Sequence, residues 1–240
     1  MKLVLFDIDG TILITDGAGR RAVHRALLEV FGSTGPADHR FDGKTDPQIV
    51  RELMRLVGHG DEQIDARMEM MLERYVAYLH LELDSAPKPP RVYPGVRALI
   101  DRLAGQSNAV LGLLTGNLRA GAHAKLAAAG IDPDRFLVGA FGSDHEDRGE
   151  LPAIAQRRLR ETLGLDIRGS DVVVIGDTPA DLRCGSAIGA RAIGVATGHF
   201  SVDELASQHP AAVFQDLSDT EAVLGVIFES ERTAWRINSW

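Results

Sequence analysis

Three short segments combine carboxylates, a hydroxyl and glycines in a way that suits phosphate chemistry. They are Phe6-Asp7-Ile8-Asp9-Gly10-Thr11, Leu114-Thr115-Gly116-Asn117 and Ile175-Gly176-Asp177-Thr178-Pro179-Ala180-Asp181. Each follows directly on an apolar run. If those runs are neighbouring strands, Asp7, Asp9 and Asp177 converge on one small volume. Carboxylates that close raise one another's pKa values, and they stay ionised together only around a cation. An oxygen-only donor set with no Cys or His cluster beside it points to Mg²⁺. Asp7 and Asp9, two residues apart, share one face of a strand, and Gly10 then turns the chain. Thr115, followed by Gly116 and Asn117, offers a hydroxyl and backbone N–H groups to phosphate oxygens.

The elements that must position these groups are legible in the same runs. Residues 3–8 form a stretch that is apolar apart from Asp7, the pattern of a strand buried on both faces. Similar runs lie at 109–114, 136–141 and 172–175, with weaker ones at 192–195 and 211–214. Helical stretches at 96–103, 120–129, 152–163 and 181–188 fall between them, and the last three are followed by Gly130, Gly164 and Gly189. This alternation predicts an α/β core, a Rossmann-like, doubly wound parallel sheet. In such sheets ligands bind beyond the carboxyl ends of the strands. Residues 16–85 break the alternation. They hold no convincing strand, and 20–31, 47–57 and 61–83 carry apolar residues at helical spacing. The stripe of Ile64, Met68, Met71, Leu72, Tyr75, Val76 and Leu79 reads as a packing face. Ala86-Pro87-Lys88-Pro89-Pro90 is a stiff linker. The expected organisation is a core of residues 1–15 and 89–228, an inserted all-helical cap domain of 16–88, and a polar tail of 229–240 with no assigned role. Hinges are expected near 13–16 and 86–91.

The chain has 240 residues and a formal net charge of −8, from 26 Lys+Arg against 34 Asp+Glu, with 45% hydrophobic and 25% charged residues. These proportions are those of an ordinary globular protein. The acidic balance argues against a nucleic-acid partner, but a metal or a few local cations can still admit a small anion. No segment approaches the ~20 apolar residues of a membrane helix, and Asp7 and Asp9 interrupt the apolar start too early for a secretion signal. A cytoplasmic protein without a membrane partner is expected. The single cysteine, Cys184, excludes an intrachain disulfide and reads as a small buried residue rather than a nucleophile. The sequence gives no oligomeric state.

Asp7-Ile8-Asp9-Gly10-Thr11, Leu113-Leu114-Thr115-Gly116-Asn117 and Gly176-Asp177-Thr178-Pro179-Ala180-Asp181 resemble the first, second and fourth motifs of the haloacid dehalogenase-like (HAD) phosphohydrolases. The helical insert after the first motif resembles that family's small cap. The resemblance covers nearly the whole chain, with phosphoglycolate-phosphatase-like relatives as the nearest analogy. The family's third motif supplies a lysine or arginine. Arg148, after the third core strand and before a helix, is the candidate, while Arg157 and Arg158 are expected to face solvent.

The resemblance implies that Asp7 attacks phosphorus and becomes an aspartyl-phosphate, and that Asp9 first donates a proton and then removes one. It further implies Mg²⁺ held by Asp7, the Asp9 carbonyl and Asp177. Thr115, Gly116, Asn117 and Arg148 then bind phosphate, and Asp181 supports the metal or orients Arg148. The substrate class is a small phosphorylated metabolite. An aspartate at position 9 separates this chain from the family's dehalogenases and P-type ATPases, and leaves phosphatase or phosphomutase. The alternatives are a mutase of the β-phosphoglucomutase type and a non-catalytic phosphate-binding module. Lys44 is a candidate substrate contact from the cap, and Arg20 a weaker one. Asp16 reads as a helix cap and His145 as a loop residue.

Overall fold

The apolar runs become strands because they cover both faces of one sheet. The computed structural model describes residues 1–229; the expected tail lies, apart from Glu229, outside the described residues. The core strands are β1 (Lys2–Phe6), β4 (Ala109–Thr115), β5 (Val138–Phe141), β6 (Val172–Gly176), β7 (Arg191–Val195) and β8 (Ala212–Phe214). They form a parallel sheet in the order β5-β4-β1-β6-β7-β8. Alternate residues of β1 serve opposite faces, as the two-residue period requires. Val4 and Phe6 join one apolar cluster, with the helices α4 (Val96–Ala104), α5 (Arg119–Ala128) and α9 (Thr220–Phe228). Leu3 and Leu5 join the other, with α6 (Leu151–Leu163). The sheet is therefore covered on both sides, as an α/β doubly wound core must be.

Helices α1 (Ala18–Phe31), α2 (Asp46–Leu56) and α3 (Asp61–Asp84) occupy the long insertion. They build a cluster of their own, with Leu27, Leu53, Met54, Ile64, Tyr75 and Leu79 at its centre. Leu118, at the start of α5, joins this cluster and docks the helices on the core. The stripe on α3 is narrower than its sequence pattern: Ile64, Met71, Tyr75, Leu79 and Leu83 are buried, while Met68, Leu72 and Val76 are only partly so.

Three local features depart from expectation. The two connections to the insertion are joined by a ribbon, β2 (Leu13–Ile14) antiparallel to β3 (Arg91–Val92). Strands of two residues are too short for any period to register. Asp16 does not cap α1. Its backbone is left-handed (φ 48), Gly17 occupies the cap position without a side-chain bond, and the Asp16 carboxylate pairs with Arg91 at 3.1 Å. Helix α7 (Pro179–Cys184) ends before 188, with a separate 3-10 turn at Ser186–Ile188. The short helix α8 (Val202–Ala206) precedes β8. Among the described residues no helix is long and apolar enough to cross a membrane.

Candidate active site

Because β4, β1 and β6 are neighbours, Thr115, Asp7 and Asp177 emerge at the same edge of the sheet. The Asp7 amide donates to the Ile175 carbonyl at 3.0 Å, which continues the β1–β6 pairing one residue past the strand. The Asp7 carboxylate is buried, with Arg148 Nη2 3.0 Å from its Oδ1. The same nitrogen donates to Asp181 Oδ1. Asp181 is fully buried, and its Oδ2 accepts from the Thr178 amide at 3.0 Å and hydroxyl at 2.7 Å, while its own amide returns a bond to Thr178 Oγ1 at 3.2 Å. This reciprocal box starts α7 and fixes Asp181 so that it holds Arg148. The Arg148 Nε is buried with no hydrogen-bond partner among the described residues. Arg158, expected at the surface, is instead pinned to Asp144 through two bonds of 2.5 and 2.7 Å and to the Gly139 carbonyl at 2.6 Å. Its side chain is only 28% exposed, so helical position alone misjudged it.

Oxygens of Asp7, Asp177 and Asp181 lie within 4.8 Å of one another. Burial pushes the Asp7 carboxyl up to about 6, Arg148 opposes this, and Asp181 and Asp9 add to it. Burial also raises Asp177 well above the usual carboxylate range, and the negative charges of Asp181 and Asp7 raise it further. Thr11 Oγ1 donates to Asp177 Oδ1 at 3.1 Å. A cluster of buried, mutually repelling oxygens fits a hard divalent cation, whose charge removes the repulsion. Both oxygens of Asp181 are already engaged, which leaves Asp7 and Asp177 as the carboxylates to face it. The chain closes tightly on Asp177: a Cβ at Gly10 (φ 86) would fall 2.3 Å from its Oδ2, and one at Gly198 1.8 Å.

Asp9 behaves differently from the expectation that it shares a face with Asp7. Strand β1 stops at Phe6, and Gly10 donates to the Leu13 carbonyl at 3.0 Å, which turns the chain. The Asp9 carboxylate is half-exposed and lies outside the carboxylate cluster. Its Oδ2 accepts from Lys125 Nζ at 2.6 Å and Asn117 Nδ2 at 2.8 Å. Asn117 in turn accepts from Lys125 at 2.6 Å and donates to Thr115 Oγ1 at 2.8 Å. Lys125 is absent from the sequence reading. The signal was a lysine on the buried face of α5 beside Ala122 and Leu126.

Asp46 was also missed, because an acidic residue in a first helical turn looks like an ordinary dipole contact. Here it is buried and pushed up to about 6 by that burial, with Lys125 pulling the other way. Its carboxylate accepts from the Leu118 amide at 2.7 Å, and its amide donates to the Gly116 carbonyl at 2.8 Å. Asp46 thus clasps the loop after β4 to the helical insertion.

The remaining candidates fall into place around a cavity of about 560 Å³ between the sheet edge and helices α1–α3. Lys44 and Arg20 both line it. Lys44 Nζ is 2.5 Å from Glu52 Oε2. Arg20 donates to the carbonyls of Ala37 and His39 and lies over the Phe41 ring. His145 is outside the cavity, in a loop where its Nδ1 accepts from the Asp147 amide at 3.0 Å. Cys184 is buried with its thiol pushed up to about 12, chiefly by burial; it holds no thiolate.

Residues 4–186 match the family described as haloacid dehalogenase-like hydrolase. The chain belongs to that family. It is 26% identical over 222 residues to a 5'-nucleotidase from Pseudomonas aeruginosa, covering 92% of this chain and 94% of that protein. It is 25% identical over 226 residues to a phosphoglycolate phosphatase from Yersinia pestis, covering 93% of each. In fold it is similar to a β-phosphoglucomutase structure from Clostridium difficile, with a TM-score of 0.71 and 17% identity over 98% of this chain and 100% of that one.

In this HAD-like hydrolase the Gly116 loop tolerates no side chain. A Cβ there would lie 2.0 Å from the Lys44 carbonyl oxygen and 2.9 Å from Thr45 Cα. Gly116→Ala is therefore expected to push residues 44–46 away from the sheet edge and to lower hydrolytic turnover by about tenfold or more, since small displacements of a positioned group cost that much. Steady-state kinetics beside a melting curve would check it; full activity with an unchanged Tm would show that the loops separate without consequence.

Proposed function

We propose that this hydrolase is a Mg²⁺-dependent phosphatase that cleaves a small phosphomonoester through an aspartyl-phosphate on Asp7. One observation carries the reading: a buried carboxylate just past the end of β1 lies 3.0 Å from Arg148 and within 4.8 Å of the second acid of an oxygen cluster, Asp177. A nucleophile facing a phosphate dianion needs both a group that positions it and positive charge to offset the repulsion.

The chain's own groups divide the work. Asp7 presents the attacking oxygen. Arg148, whose charge the carboxylates of Asp181 and Asp7 hold against the opposing effect of burial, offers a fixed fork of donors to the transferring oxygens. Thr115, Gly116 and Asn117, which line the same cavity, supply a hydroxyl, backbone N–H groups and an amide. Asp9, half-exposed and held by Lys125, gives its proton to the leaving alcohol and takes one from water in the second step. Asp7, Asp177 and the Asp9 carbonyl would hold Mg²⁺, which when bound screens the nucleophile from the phosphate and lowers the barrier to attack. Helices α1–α3 act as a cap that shields the cavity and contacts the leaving group, with Lys44 and Arg20 on its wall.

The test is turnover of p-nitrophenyl phosphate. Activity is expected with Mg²⁺, to vanish in excess chelator and to return when Mg²⁺ is restored, with one inorganic phosphate released per ester cleaved. Undiminished activity in chelator would remove the metal from the reading. Conversion of a sugar phosphate to its isomer without phosphate release would replace hydrolysis by the mutase alternative.

A further inference from the structure

We infer that the ester cleaved here has a neutral leaving group, an alcohol with no carboxylate or second phosphate; this rests on the phosphatase reading. The charges around the cavity decide it. Six aspartates line the cavity against four lysine and arginine side chains. Arg148 is taken by Asp7 and Asp181, and Lys125 by Asp9. A divalent ion and the phosphate dianion cancel each other within this set. A second anionic group on the substrate must therefore find its partner on the cap wall.

The cap wall offers no cation without hydrogen-bond partners of its own among the described residues. Lys44 is paired at 2.5 Å with Glu52, whose second oxygen accepts from Gln48 at 2.8 Å. Glu52 is also 2.9 Å from His39. Against the opposing effect of burial, the hydrogen bonds from Lys44 and Gln48, with the charges of Lys44 and His39, hold the Glu52 carboxyl below its usual range. His199, on the same cavity, is 2.6 Å from Asp42. Arg20 has no carboxylate partner, yet two carbonyls accept from its nitrogens at 3.3 and 2.9 Å and Phe41 covers one face 3.9 Å away. The adjoining wall is apolar, with Leu13, Val23, Phe41 and Ile49. An anion entering here loses water and gains no uncommitted cation, which is unfavourable. A neutral alcohol gains apolar contact at no such cost.

The probes are phosphoglycolate and 2-hydroxyethyl phosphate, which differ only in carrying a carboxylate or a neutral hydroxymethyl group, beside p-nitrophenyl phosphate. The neutral ester is expected to exceed phosphoglycolate in kcat/KM by about tenfold or more, the factor that corresponds to one unfavourable charge contact. Glu52→Gln, which frees Lys44 without touching the sheet edge, is expected to raise phosphoglycolate selectively and shrink that ratio. Equal or greater kcat/KM for phosphoglycolate in the wild-type protein would overturn the inference, as would an unchanged ratio in Glu52→Gln. No turnover of any of the three esters would overturn the phosphatase reading itself, and this inference with it.

Discussion

Asp7→Asn lowers phosphate release from p-nitrophenyl phosphate by about four orders of magnitude or more, the expected loss when a covalent nucleophile is removed. An amide has the shape of the carboxylate but no charge with which to attack phosphorus. The fold is expected to survive, and the reason sets a second readout. Burial raises Asp7 from 3.8 to about 6, so in the metal-free protein the native state prefers the protonated acid. Its contribution to stability is fully present below pH 3.8 and is lost as pH rises through about 6. Asparagine does not titrate and stays neutral throughout, while Arg148 keeps Asp181 as its partner. The metal-free variant should therefore melt no lower than wild type at pH 8, with any advantage shrinking toward pH 4. Activity within tenfold of wild type, in a sample shown to be free of contaminating phosphatase, would transfer the nucleophile's role to another group.

Lys125→Met gives the second large effect, and it depends on the leaving group. The ammonium lies 2.6 Å from both Asp9 and Asn117, with its side chain only 4% exposed. Methionine fills similar space but leaves Asn117 Oδ1 unsatisfied and lets the Asp9 carboxylate swing toward solvent. Asp9 is half-exposed and can be rehydrated, so the stability loss should be about 1–3 kcal/mol, the cost of an unmade buried hydrogen bond, and less than for a fully buried ion pair. The loss in kcat is expected to reach about 100-fold for an alkyl phosphate, within the usual range for a misplaced general acid. For p-nitrophenyl phosphate, whose leaving group departs without a proton, it should be several-fold smaller. The same fractional loss on both esters would mean that Lys125 supports the fold alone and does not position Asp9.

The two variants also separate what sequence and structure each contribute. Asp7, Thr115 and Asp177 were legible because a polar residue at the end of a continuous apolar strand breaks the pattern and stands at the ligand-binding edge of a parallel sheet. Arg148 stood out by its place between a strand and a helix together with the family resemblance, whereas Arg158, expected to face solvent, is half-buried against Asp144. The parallel sheet and the helical insertion followed from period and order, since burial on two faces or on one stripe leaves a mark in the chain. The β2–β3 ribbon left none, being two residues long on each side.

The sequence by itself determined which carboxylates stand at the strand ends and that the strands carrying them had to be covered on both faces. Only the tertiary structure decided how those acids divide. Asp181 is consumed by the start of α7 and by Arg148; Asp9 is turned away from Asp7 to Lys125; and Asp46 ties the helices to the loop at Gly116. Apart from the Thr178–Asp181 box at the start of α7, these assignments are contacts between residues from 33 to 116 positions apart. A chain's local pattern records how much of a side chain is buried, not which distant charge it is buried against, and the latter sets both the acidity of these groups and their direction.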